Sequence, residues 1–279
     1  MLECGLTGMA SDLLSQPDLT YKGRCGNVVP PKATPPLDLS LLIVPFVAYA
    51  IAGLVKGTTG LGFSTTCLPI LAISLGLKES LPLVLVPSLL SNLTVMRDAG
   101  HFREVVTRFW PLYVALLPGL AIGLALLAWI DGASAAAALG AVLCLYAAYA
   151  FFRPSTRIDD AVARPLAPPV GFLTGMVNGL TGSQVMPLMP FMLALQLDPN
   201  RLVQAINCSF TLSSLVMAAG LARLDLFTLE QLAISVAGTV PALAGVKIGG
   251  VLRRRLEPET FRKMVLAVLL VLGVSLMLR

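Results

Sequence analysis

GLVKGTTG at Gly53–Gly60 and GMVNGLTG at Gly175–Gly182 are the two stretches that decide the fold of this chain. They are identical at five of eight positions, although 122 residues separate them. Each lies within apolar sequence, where glycine weakens a helix. We therefore interpret each motif as a break in a membrane helix, used once in each half of a repeated structure.

Further matches at nearly the same offset support the repeat. PGLAIG at Pro118 matches PALAGV at Pro241, and Ser88 corresponds to Ser209. The Val-Met pairs that begin at residues 95 and 216 correspond as well. The sequence therefore predicts two homologous membrane repeats, at residues 39–152 and 169–279. A polar, proline-rich tail at 1–38 precedes them, without the pattern of a signal peptide, and a basic linker at 153–168 joins them.

The composition is that of a membrane protein. Of the 279 residues, 56% are hydrophobic and 13% are charged, whereas soluble domains have about 25% charged residues. Phe109–Ile130 and Ser134–Phe152 contain no charge, and a spanning helix needs about 20 apolar residues. We predict an all-α polytopic protein, in which each half has a glycine-broken helical hairpin and three transmembrane helices. This hydrophobicity excludes a soluble dinucleotide-binding domain.

The distribution of basic residues predicts the orientation. Three loops are rich in arginine: Arg97–Arg108, the central linker and Arg253–Lys263. The positive-inside rule places them in the cytoplasm, so the net charge of +5 does not indicate a nucleic-acid partner. The repeat equivalent of the first loop, 222–228, is not net basic and is expected outside. The two halves are therefore predicted to have inverted topology, with both termini outside.

An inverted repeat brings equivalent positions together near the middle of the membrane. Broken helices leave backbone N–H groups free at half-helix N-termini, and these bind anions. Short polar side chains beside each break add hydrogen-bonding groups. We expect these residues to bind a small anionic substrate: Lys56, Gly57, Thr58, Thr59, Gly60, Asn92, Asn178, Gly179, Thr181, Gly182, Ser183, Gln184 and Asn207.

Lys56 has two interpretations that the sequence leaves open. It either supplies the positive charge for the anion, since an intramembrane ionisable residue is a functional hypothesis by default, or it extends from a helix end to the interface. Asn92 and Asn207 either line the pathway or join helices. Arg97, Asp98 and His101 are expected at the interface, with gating or proton coupling as the alternative, and Lys247 is expected to extend toward the cytoplasm.

Enzymatic and metal chemistry find little support in the sequence. Its five cysteines form no Cys-x-x-Cys motif, and His101 is the single histidine, so a zinc or haem site is not expected. GTTGLG lacks the Lys-Ser/Thr of a phosphate-binding loop. We expect no cofactor and no enzymatic activity. Cys4 and Cys25 could pair if the tail faces an oxidising compartment.

The chain resembles the TauE/SafE sulfite exporter family over about residues 40–279. The resemblance rests on GLVKGTTGLGFSTTCLPIL and GMVNGLTGSQVMPLMPFML, on the Ser-containing segments VPSLLSN and INCSFTLSS, and on AGVKIGGVLRRRLEPETFRKMVLAVLLVLG near the C-terminus. It implies a multi-pass protein of the bacterial inner membrane that transports sulfite, organosulfonates or related organic acids, often with assumed proton coupling. A passive anion channel and a non-transporting membrane scaffold are the alternatives, and the oligomeric state is left open.

Overall fold

The structure is a computed structural model, and it describes residues 39–60, 62–152, 157–224, 226–252 and 258–278. Helices are the only regular elements in these ranges. They are α1 Leu39–Thr59, α2 Phe63–Leu75, α3 Leu77–Ala99, α4 Phe102–Trp129, α5 Gly132–Phe152, α6 Asp160–Thr181, α7 Leu188–Ala194, α8 Pro199–Arg223, α9 Leu229–Leu252 and α10 Pro258–Met277.

The chain is an all-α multi-pass membrane protein. Within the described ranges, five helices are long and apolar enough to cross a bilayer, namely α3, α4, α5, α8 and α9. The described apolar parts of α1, α2 and α10 are shorter. Helix α6 begins at Asp160, so it includes the second part of the segment expected to be a linker. The tail, the proposed Cys4–Cys25 pair and residues 253–257 of the third basic loop lie outside the described residues.

The two ends of the helical bundle can be identified from polar contacts. At one end, which we call the Arg108 end, Arg108 of α4 pairs with Asp160 of α6. Arg201 of α8 also pairs there with Glu104 of α4. At the other end, which we call the Lys78 end, the ammonium group of Lys78 donates to the carbonyl oxygen of Ile130. Helix α3 therefore runs from the Lys78 end to the Arg108 end, and α4 returns.

Equivalent helices of the two halves run in opposite directions. Helix α8 begins at the Arg108 end, where Arg201 lies, whereas its repeat equivalent α3 begins at the Lys78 end. Helix α9 begins near the start of α3, because the Ser235 hydroxyl donates to the Leu83 carbonyl, whereas its equivalent α4 begins at the Arg108 end. Residues Leu226 and Phe227 pack with the core cluster at the Lys78 end.

Helix contacts are exchanged symmetrically between the halves. Tyr113 of α4 donates a hydrogen bond to the carbonyl of Ala205 in α8 at 3.0 Å. Ser235 of α9 donates to the carbonyl of Leu83 in α3 at 2.7 Å. The two donors, Tyr113 and Ser235, are 122 residues apart, and the two acceptors, Leu83 and Ala205, are also 122 residues apart. A single offset thus relates a pair of contacts between helices, as it relates the two glycine motifs.

Glycine faces hold α1 against α9 and α6 against α4. A methyl group on Gly53 or Gly57 would overlap the carbonyl oxygen of a residue in α9. One on Gly175 or Gly179 would overlap a carbonyl oxygen in α4 in the same way. Helix association in membranes depends on such close backbone approach between small residues. These two equivalent interfaces fix the position of the last turn of α1 and of α6, which leads into each break.

Candidate functional site

The two breaks have the same local backbone geometry. Gly60 has a φ of 79° and Gly182 a φ of 72°, both in the left-handed region that glycine adopts without strain. The Gly60 N–H donates to the Lys56 carbonyl at 2.7 Å, and the Gly182 N–H donates to the Asn178 carbonyl at 2.7 Å. Each helix therefore ends in a glycine cap of the same type, and equivalent residues accept the final bond.

The position of the first break differs from the sequence interpretation. Helix α1 continues through Lys56 to Thr59, so Gly53 and Gly57 lie inside the helix. Their missing side chains allow close packing on α9, and the turn is made by Gly60 and Gly62. The physical reason is that glycine serves both in helix packing and in turns. Only the tertiary contacts show which of the two roles a given glycine has.

The first break exposes a helix N-terminus. Helix α2 begins at Phe63, and its first turn closes with the bond from the Thr66 N–H to the Gly62 carbonyl at 3.1 Å. The N–H groups of residues 63–65 therefore have no partner within the helix. Together with the helix dipole, such groups favour a negative charge. Ser64, in this first turn, directs its hydroxyl to within 3.0 Å of the Ser88 hydroxyl in α3.

Lys56 is buried inside the protein. Its side chain is 1% exposed, so it does not extend to the interface as one of the two interpretations required. Its ammonium group donates to the amide oxygen of Asn92 in α3, and within the described ranges it has no carboxylate partner. An isolated buried cation is costly. In the described part of the chain, the Lys56 ammonium group is therefore stabilised by the Asn92 amide oxygen and by its place in the last turn of α1, and by no opposite charge.

Polar groups of α2, α3, α6 and α8 meet at a cavity beside the second break. The cavity has a volume of about 20 Å³, roughly the space of one water molecule. Asn178, Gly182 and Gln184, all among the predicted site residues, line it. The other polar lining residues are Ser64, Ser88, Ser213 and Ser214. Both halves thus contribute hydrogen-bonding groups to one small space.

Helix α3 links this cavity to Lys56. Ser88 and Asn92 are four residues apart and are both buried, and residues at this spacing lie on one face of a helix. Ser88 lines the cavity, whereas Asn92 binds Lys56. The lysine and the cavity are therefore adjacent along one helical face, about one turn apart.

Several polar atoms at the second break have no partner in the described part of the chain. They include the amide nitrogen of Asn178, the amide oxygen of Gln184 and the hydroxyl groups of Ser183 and Ser213. All four residues are buried. Buried polar groups are normally hydrogen-bonded, so each exception needs an explanation. Three of these residues, Asn178, Gln184 and Ser213, line the cavity, as in a site that completes its hydrogen bonds with water or a ligand.

The hydroxyl groups of the threonines beside the breaks already donate hydrogen bonds within their own helices. The hydroxyl groups of Thr58 and Thr59 both donate to the Val55 carbonyl in their own helix. Thr181 likewise donates to Val177 at 2.7 Å. Such bonds to the preceding turn are common for threonine in helices. Their donor groups therefore serve the helix ends, and any contact with a ligand uses the oxygen lone pairs.

The other predicted site residues lie between packed helices, and the candidates for the interface lie at the protein surface. Gly57 and Gly179 face the backbones of α9 and α4, as described above. Asn207 of α8 donates to the Val203 carbonyl at 2.8 Å and to the Gly60 carbonyl at 3.4 Å. It therefore joins α8 to the first break, one of the two roles considered for it. The interfacial candidates Arg97, Asp98, His101 and Lys247 are all exposed.

Sequence reasoning missed Ser213 and Ser214. The repeat contained the signal, because Ser213 lies 121 residues after Asn92, the same offset as that of Ser88 and Ser209. Lys56 corresponds in turn to Asn178. The contact between Lys56 and Asn92 at the first break is therefore matched at the second by Asn178 and Ser213, which line the same cavity.

Comparison with known proteins assigns the family. The model of the sulfite exporter TauE/SafE family matches residues 45–276, which include both breaks. No curated protein and no solved structure matched the sequence. The match agrees with the fold of apolar helices and extends over most of the chain. The chain therefore belongs to the sulfite exporter TauE/SafE family of membrane transporters.

Proposed function

We propose that the protein is a secondary transporter of a small anion, such as sulfite, an organosulfonate or a related organic acid, in a bacterial inner membrane. The observation that carries the proposal is the buried Lys56, whose ammonium group has the neutral Asn92 as its hydrogen-bond partner and no carboxylate partner in the described structure. The α2 N-terminus begins seven residues further along the chain. A cation and free N–H groups in one buried region favour an anion.

Alternating access accounts for the small cavity better than an open channel does. A volume of about 20 Å³ holds roughly one water molecule, so even sulfite enters only after the surrounding helices move apart. The antiparallel course of equivalent helices, α3 with α8 and α4 with α9, supports inverted repeats. In transporters built on that plan, one repeat moves against the other around a fixed site near the midplane.

Replacement of Lys56 by methionine tests the role of the cation. Methionine has a similar length and no charge. It removes the desolvation cost of an isolated buried cation, and this gain offsets the loss of the hydrogen bond to the Asn92 amide oxygen. We expect Lys56→Met to lose uptake of sulfite, thiosulfate or sulfoacetate into proteoliposomes, with an unchanged or higher melting temperature. Lys247→Met is the matched control, because Lys247 is exposed, and it should transport normally.

Trans-stimulation separates a carrier from a channel in the same vesicles. Anion loaded on the opposite side should accelerate uptake by a carrier that alternates between two states, and it should not accelerate flux through a pore. Normal uptake by a folded Lys56→Met variant would exclude Lys56 as the group that binds the anion. Uptake without trans-stimulation would instead favour the channel.

A further inference from the structure

A second cavity lies at the Arg108 end, between α4 and α6, and none of its lining residues belongs to the candidate substrate site. Its volume is about 460 Å³. Arg108 and Trp110 of α4 line one side, Asp160 and Arg164 of α6 line another, and Leu195 closes it. We call this space the α4–α6 groove. It combines charged, aromatic and aliphatic groups in one place.

Sequence position puts the α4–α6 groove at the membrane surface. Arg108 is the last charged residue before the uncharged stretch 109–130, and Arg164 is the last before the uncharged stretch 165–197. Basic residues at the ends of membrane helices reach the lipid headgroups. Trp110 follows Arg108 and is 58% exposed, and tryptophan is enriched at this depth. Two helices thus present arginines at the same headgroup level.

The charges of the groove leave one positive charge unpaired. Arg108 is paired with Asp160 at 2.6 Å, and its guanidinium lies 5.4 Å from the ring centroid of Phe109. Arg164 has no ion pair with any residue that the structure describes. The net charge of the three groups is therefore +1. A phosphodiester has one negative charge, and a guanidinium group binds phosphate oxygens in a bidentate manner.

Apolar side chains line both walls of the groove. Ala163 and Ala167 of α6 and Leu195 line one part of it. Trp110 and Pro111 of α4 line the facing part, and Trp110 is 58% exposed, so these groups offer a path for acyl chains. A soluble anion needs no such surface. We therefore propose that the α4–α6 groove binds an anionic phospholipid, with Arg164 on the headgroup phosphate, as basic pockets between membrane helices do.

Tryptophan fluorescence can test this proposal in vesicles. The chain has two tryptophans, and Trp129 is 90% exposed at the end of α4. A Trp129→Phe protein keeps only Trp110, which lines the groove. Brominated lipids quench tryptophan on contact, so we compare brominated phosphatidylglycerol with brominated phosphatidylcholine. We expect Trp110 to be quenched about fivefold more effectively by phosphatidylglycerol, the preference expected from one basic residue at an anionic surface.

Matched variants separate a bound lipid from general charge attraction. Arg164→Gln should abolish the preference. Arg103→Gln, an exposed arginine of α4 outside the groove, removes the same charge and should retain it. Equal quenching by both lipids in the Trp129→Phe protein, or equal loss in both variants, would overturn the proposal. Relief of quenching by free inorganic phosphate would also overturn it, because the groove would then bind a soluble anion.

Discussion

At the first break, the Lys56 carbonyl closes the last turn of α1 and its ammonium group is held by Asn92. At the second, the Asn178 carbonyl closes α6 in the same way, but its side chain faces a cavity and its amide nitrogen lacks a partner among the described residues. The two breaks thus share a backbone geometry, and only the first has a basic side chain at the residue whose carbonyl accepts the closing bond.

The difference suggests a division of labour between the breaks. The first supplies the positive charge and the N-terminus of α2. The second supplies neutral hydrogen-bonding groups and continues as an irregular segment from Gly182 to Pro187 before α7 begins. One charge and several neutral donors match a small anion with several oxygens. Two charges in the same region would repel each other and would have no anion to balance them when the site is empty.

A second lysine at the neutral break should therefore have the largest effect. In Asn178→Lys, the new cation lies where Ser213 offers one hydroxyl and no carboxylate lines the cavity. An uncompensated buried charge typically destabilises a protein by about 3–5 kcal/mol. We expect a large fall in the melting temperature, measured in detergent. Asn178→Gln, which stays neutral, is the control.

A further substitution can rescue that variant if the two breaks are equivalent. Ser213→Asn places an amide at the position that corresponds to Asn92, so Asn178→Lys with Ser213→Asn rebuilds the first contact in the second half. Partial recovery of the melting temperature is expected. If Asn178→Lys alone is as stable as the unchanged protein, then the second break tolerates a cation and the division of labour is wrong.

The sequence predicted the all-helical membrane fold, and it predicted the site less completely. Patterns of apolar residues and a constant offset can be recognised in the sequence alone, so the two glycine motifs could be paired before any contact was known. Burial is not local: whether Lys56 reaches the surface depends on α3, which supplies Asn92. Ser213 was missed for a similar reason, since the offset relates it to Asn92 but does not say what the serine faces.

The sequence interpretation also placed Gly57 at the break, whereas it lies inside α1. Substitution of this glycine should have a smaller effect on stability than Asn178→Lys. A methyl group on Gly57 would overlap the Val246 carbonyl, so Gly57→Ala should separate α1 from α9 and destabilise the protein by about 1–3 kcal/mol. Gly179→Ala should act similarly through the Leu120 carbonyl. Gly250→Ala, which has open space around it, is the control and should not lower the melting temperature. If Gly57→Ala were as stable as the unchanged protein, Gly57 would not be needed for close packing on α9, and its assignment to the break would be the better interpretation.

The smallest effect is expected from Ser213, and it separates binding from stability. Its hydroxyl has no partner in the described structure, so Ser213→Ala removes no protein hydrogen bond and should leave the melting temperature nearly unchanged. If the anion accepts that hydrogen bond, then its loss should weaken binding by about 1 kcal/mol, or about fivefold in the dissociation constant. Thermal shift measured against anion concentration reports both quantities together. Ser134→Ala is a control outside the site, because Ser134 is bonded to Asp131 at the Lys78 end. An unchanged dissociation constant in Ser213→Ala would remove the second break from the binding site and leave the anion with Lys56 and the α2 N-terminus alone.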